Sequence, residues 1–159
     1  MKKTILKSLV ATITGVLFIT CLSSCSKKGD DDPSPESGER TAKFTVTVTG
    51  APESAYVSFV VVGLTNTPSE ATVWKVNGAV KNDESAVSLD ANSFKGNTKT
   101  YVIESIKPLN AISVGIQCLN PESLPYKVSY KSEINGKVKQ DVKDFTVTKD
   151  ADFTHDYTY

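Results

Sequence analysis

The feature that most constrains this chain is a hydrophobic repeat of period two. Phe44, Val46 and Val48 alternate with Thr45, Thr47 and Thr49. Ile112, Val114, Ile116 and Cys118 alternate with Ser113, Gly115 and Gln117. Successive side chains of a strand point to opposite faces, so such a pattern describes a strand with one face in a core and one in solvent. Threonine and the β-branched aliphatics favour that conformation. Residues 55–62 are apolar on both faces, as a central strand is. Shorter strand patterns run over 71–76, 86–90, 98–106, 126–133, 137–143, 145–148 and 151–159, separated by turn signals such as Asn77-Gly78, Lys107-Pro108 and Asn120-Pro121. No window past residue 42 carries a 3.6-residue period, so no helix of any length is expected there.

About eight short strands punctuated in this way predict an all-β domain. The expected form is an antiparallel β-sandwich of the Greek-key, immunoglobulin-like kind, with a closed barrel as the alternative. The usual immunoglobulin disulfide is impossible, because Cys118 is the only cysteine after residue 25. Its place among alternating aliphatics reads as a small buried hydrophobe. One hairpin can be argued in detail. A two-residue Asn135-Gly136 loop would set Ile134 against Lys137 and Tyr130 against Asp141, whereas a three-residue Ile134-Asn135-Gly136 loop pairs Glu133 with Lys137, Tyr130 with Gln140 and Val128 with Val142. The second keeps apolar against apolar, and is the expectation.

The start of the chain is of another kind. Lys2, Lys3 and Lys7 precede an uncharged, mostly apolar run from Ser8 to Leu22, which is short for a bilayer span and suits a signal-peptide core. The run ends in Leu22-Ser23-Ser24-Cys25, a branched apolar residue and two small ones before a cysteine. This resembles the lipobox of bacterial lipoproteins. The resemblance implies removal of residues 1–24 and lipidation of Cys25, which becomes the membrane attachment. Ser26-Lys27-Lys28-Gly29-Asp30-Asp31-Asp32 is similar to the charged stretch after the lipidated cysteine in surface-exported lipoproteins of the Bacteroidota. It implies an outer-membrane, lipid-anchored protein at the cell surface. Each buried CH₂ of an acyl chain contributes about 0.8 kcal/mol, so two or three chains hold durably.

Residues 25–41 then read as a flexible acidic linker, with Pro33, Pro35 and Gly38 and no large apolar residue. From Ser26 to Thr41 its greatest reach is roughly 55 Å. The sandwich domain occupies 42–159. Loss of residues 1–24 removes three of the 18 basic residues and none of the 18 acidic ones, leaving a net charge of −3. That balance gives no case for nucleic acid.

Chemistry is sparse. His155 is the one imidazole, and no G-x-S-x-G, phosphate-cradling loop or zinc spacing accompanies it. Asn82-Asp83-Glu84 and Asp150-Ala151-Asp152 offer oxygens in turns but lack the twelve-residue calcium pattern. No catalytic residue, metal or cofactor is expected. The candidate contact residues are aromatic. Trp74 beside the Asn77-Gly78 turn can stack on a sugar or seat a protein partner, or it can fill the core, which is the preferred reading. Tyr157 and Tyr159 share a face of the last strand with Phe153 and His155. The expected function is a non-catalytic module that binds a glycan or an envelope protein. The alternative is an assembly accessory of a larger envelope complex. An exposed Trp74 would favour a ligand, and a flat apolar patch would favour assembly.

Overall fold

The computed structural model describes residues 38–67, 69–121 and 124–159. The signal segment 1–24, Cys25 and most of the linker lie outside the described residues. Ten strands follow one another: β1 (Ala42–Thr49), β2 (Tyr56–Leu64), β3 (Trp74–Val76), β4 (Ala79–Lys81), β5 (Ala86–Asp90), β6 (Thr98–Ser105), β7 (Ala111–Leu119), β8 (Tyr126–Ile134), β9 (Lys137–Val147) and β10 (Phe153–Thr158). There is no helix among the described residues.

Two antiparallel sheets form a sandwich, one of six strands in the order β4-β3-β6-β1-β8-β9 and one of four in the order β10-β7-β2-β5. Sequence neighbours such as β1 and β2 lie in different sheets, so the chain repeatedly crosses between layers, as Greek-key sandwiches do. The alternation decides which side chains meet. Phe44, Val46 and Val48 of β1, Val57, Phe59 and Val61 of β2, and Ile112, Val114, Ile116 and Cys118 of β7 are all buried between the layers. Each aliphatic or aromatic side chain removed from water contributes about 1.5–3 kcal/mol. Burial pushes the Cys118 thiol up to about 12, which keeps it protonated and unreactive.

The hairpin differs from expectation. Ile134 pairs directly with Lys137 across a two-residue Asn135-Gly136 loop. Both loop residues have positive φ, 50° and 72°, the geometry that suits the twist of the flanking strands. The apolar register is recovered along the strands instead. A bulge between Ser132 and Glu133 moves Tyr130 from Asp141 to Val142, and a second between Val128 and Tyr130 brings Val128 opposite Phe145. Asp144, at φ 48°, fills the second bulge and donates its backbone N–H to Ser129 Oγ at 2.9 Å. The expected segments 137–143 and 145–148 are therefore one bent strand, β9. At Asn77-Gly78 a second loop with positive φ at both residues adds the short strand β4.

Candidate functional site

Trp74 is a core residue. It is 0 % exposed, and its indole N–H donates to the Ser85 carbonyl at 2.9 Å. Its ring lies tilted against Phe44 at 6.2 Å and over Gly63, where an added Cβ would come 2.6 Å from Trp74 Cζ2. As a stacking surface for a ligand Trp74 is therefore corrected: its faces are covered by protein.

Tyr157 and Tyr159 do come together. Phe153, His155, Tyr157 and Tyr159 form a ladder along β10, with centroids 4.6, 5.5 and 6.1 Å apart in sequence order. The ladder leans on the other sheet, where Tyr130 stacks on Tyr157 at 5.6 Å and Phe145 packs on Phe153 at 5.3 Å. Tyr159 shares a hydrogen bond with Ser132 at 2.9 Å, hydroxyl to hydroxyl, and lies 6.0 Å from Phe44. Among the described residues the buried Tyr130 hydroxyl makes no well-formed hydrogen bond, although Tyr159 and Ser132 lie beside it. Burial, reinforced by Tyr159, raises its pKa well above the ordinary phenol range. Tyr157 of β10 and Tyr159, just past its end, are thus half-buried, and His155 is exposed at the sheet edge between its aromatic neighbours. No three His, Cys, Asp or Glu side chains gather as a metal group among the described residues.

The surface that sequence reasoning missed is the outer face of the four-stranded sheet. Tyr56, Ser58, Val60, Val62 and Leu64 of β2 point away from the core, between the buried Val57, Phe59 and Val61. They sit directly opposite Leu119, Gln117, Gly115, Ser113 and Ala111 of β7. Ala86, Ser88 and Asp90 of β5 flank one side, and Thr154, Asp156 and Thr158 of β10 the other. Among these outward positions the charged residues are Asp90 and Asp156, one on each flanking strand. Tyr56 is 51 % exposed and Leu64 53 %, with Val60 and Val62 half-buried between them. The six-stranded sheet's outer face is different: Lys43, Lys75, Lys127, Lys131, Glu104 and Glu133 stand among threonines, and Glu104 holds Lys43 at 3.6 Å and Lys75 at 3.2 Å. The missed signal was legible. A strand apolar on both faces, in a sandwich that covers only one, leaves the other apolar face uncovered.

No family model matches the chain, and no curated protein does. Solved structures do. The calcium-bound form of a protein from Parabacteroides distasonis superposes with a TM-score of 0.51 at 18% identity, over 81% of this chain and 99% of that one. A DUF4425 family protein from Bacteroides ovatus gives 0.52 at 11% identity, over 77% and 95%. A domain of unknown function, DUF4425, from Bacteroides vulgatus gives 0.53 at 11%, over 76% and 94%. The likeness is one of fold. It extends over nearly the whole length of those chains.

Proposed function

We propose that this protein is a surface lipoprotein of the outer membrane, held by lipid on Cys25, whose sandwich docks a protein partner and catalyses no reaction. The observation that carries the reading is the uncovered outer face of the four-stranded sheet, where Tyr56, Val60, Val62, Leu64 and Leu119 stand among small and hydroxyl side chains. Two requirements of sugar recognition weigh against a glycan there: convergent polar groups that fix hydroxyls, and a broad aromatic face. Trp74 offers no such face, being buried. Protein contact surfaces are rich in aromatic and aliphatic side chains; on this face Tyr56, Val60, Val62, Leu64 and Leu119 supply them, with Gly115, Ser113, Ser88 and Ala86 beside the two valines. The lipid attachment rests on Leu22-Ser23-Ser24-Cys25. The Bacteroides and Parabacteroides origin of the structural neighbours agrees with the bacterial group that the post-cysteine stretch resembles.

A glycan reading keeps one observation in its favour, the β10 ladder with its exposed His155 and half-buried Tyr157. A glycan array and a panel of envelope proteins, each probed with wild type, Val60→Lys and Tyr157→Ala, separate the two. The docking reading expects no retained glycan and a protein interaction lost in Val60→Lys alone. Glycan binding lost in Tyr157→Ala overturns it. One structural neighbour has a calcium-bound form; the reading assigns this chain no resident cation. Melting with and without millimolar calcium is expected to differ by less than about 1 °C, since a ligand held by the folded state alone would raise the midpoint.

A further inference from the structure

Resting on the protein-docking reading, we infer that this face takes a basic amphipathic helix of the partner. The helix lies along β2 and β7, with its apolar stripe on the β2 side chains and a lysine or arginine against Asp156. Shape makes the first argument. Only β2 and β7 run the full length of the face, with nine residues each, while β5 has five and β10 six. Nine residues of about 3.4 Å span about 30 Å, and two strands about 4.8 Å apart make a strip about 10 Å wide. One helix has that diameter, about 10 Å, and covers that length with about 20 residues. A second sheet would overhang the short strands on both sides. A lone extended segment laid face down would leave its own N–H and C=O groups unpaired, whereas a helix arrives with them satisfied.

Relief and charge make the second. Val60, Val62 and Leu64 stand on β2, and the β7 residues directly opposite are Gly115, Ser113 and Ala111. These small side chains form a trough beside an apolar ridge. The far wall of the trough is β10, where Asp156 pairs with Gly115. The Asp156 carboxylate leans inward, its Oδ1 3.3 Å from where a Cβ on Gly115 would stand. The trough is thus apolar on one side and anionic on the other. None of the ion pairs among the described residues engages Asp156. Beyond the ridge, Asp90 of β5 accepts hydrogen bonds from Asn92 and Ser93, which fix a second negative charge. No cation stands at an outward position of these four strands. An acidic helix is repelled there. An uncharged one covers Asp156 without pairing it, which is costly, and a basic one supplies the missing partner. A strip of about 300 Å² on each side belongs to the transient size class, as short helix-in-groove contacts do.

The test titrates labelled peptides of about 18 residues into the full chain in an uncharged detergent, with empty micelles as the blank. One peptide carries a leucine stripe at helical spacing bordered by lysines. A second has glutamates for the lysines, and a third rearranges the first into strict leucine–lysine alternation. The lysine-bordered helix is expected to bind roughly fivefold or more tighter than either of the others, and to weaken as salt is raised. Asp156→Lys reverses the preference between the lysine and glutamate peptides. Val60→Lys, which sets a charge on the ridge, weakens the lysine-bordered helix by roughly tenfold or more. Thr47→Lys on the opposite sheet changes nothing, and matched melting shows that the variants fold. In parallel, a photo-cross-linking amino acid at position 60 is irradiated in the membranes that carry the full chain. Equal binding of the three peptides, or a preference indifferent to Asp156→Lys, overturns the basic helix. So does the failure of every peptide to bind while position 60 cross-links to another protein, which leaves the docking reading in place. No bound peptide together with no cross-link overturns both.

Discussion

Gly63 shows how one residue places the largest side chain of the core. A β-carbon there would lie 2.6 Å from Trp74 Cζ2 and 2.7 Å from Leu109 Cδ1. The Trp74 ring occupies the space that a side chain at position 63 would need. Gly63→Ala is expected to cost about 1–3 kcal/mol through overpacking. Thermal melting checks it, with a midpoint lowered by roughly 3–6 °C per kcal/mol. The buried acids set the response to base. Burial raises Cys118 from 9.0 to about 12, and Tyr126 and Tyr130 above their ordinary 10.0. In each case the unfolded chain gives up its proton first. The folded state thus binds more protons, and stability falls as pH rises. Stability is expected to hold below pH 9.0 and to decline from there toward pH 12, steepening once the tyrosines join above 10.0, as denaturant titrations at stepped pH would record. The same burial predicts that Cys118 resists alkylation until the domain is unfolded.

Among the elements, the β8–β9 hairpin explains why register was harder to read than strand identity. Asn135-Gly136 specified its loop correctly, since both residues take the left-handed conformation. The pairings expected from apolar matching did not hold: Val128 was expected opposite Val142 and Tyr130 opposite Gln140, whereas Tyr130 faces Val142 and Val128 faces Phe145. The expectation failed because it let loop length alone adjust the register, when bulges adjust it within the strand. Gly136→Ala is expected to cost about 1–2 kcal/mol at φ 72°. Asn135→Ala should cost about as much, because Asn135 Oδ1 also accepts the Thr41 N–H at 2.8 Å. Deleting Lys139, the extra residue of the first bulge, leaves Glu133 on Val138 and Ser132 on Gln140 in an unbroken ladder. It is expected to cost less than about 1 kcal/mol, a contrast that melting of the three variants would reveal. The clean alternations of β1 and β7 needed no such correction, because a slip by one residue would expose a whole buried row.

At the scale of the molecule, the layer architecture was legible, and the uncovered outer face only in part, through the two-sided apolar pattern of residues 55–62. Alternation, turn residues and the absence of helical period pointed to a sandwich, with a closed barrel as the alternative that the two separate sheets remove. They preferred an inward Trp74, which the structure bears out, on the habit of sandwiches rather than on β3, whose three residues carry too short a pattern to assign a side. They did not reveal the whole outer face of the small sheet. Its apolar character is split between residues 56–64 and 111–119, which are distant in the chain and adjacent only through strand pairing. The two outer faces now give the domain a direction: one charged and threonine-rich, held by surface ion pairs that contribute little to stability, the other apolar and uncovered. Hydroxyl-radical footprinting of the full chain in its membrane, compared with the isolated monomer, tests that asymmetry most directly. Protection of Tyr56, Val60, Val62, Leu64 and Leu119, with Lys43, Thr45 and Thr47 labelled as before, is the predicted result. Equal labelling of both faces in the two states, or protection centred on His155 and Tyr157, would contradict it.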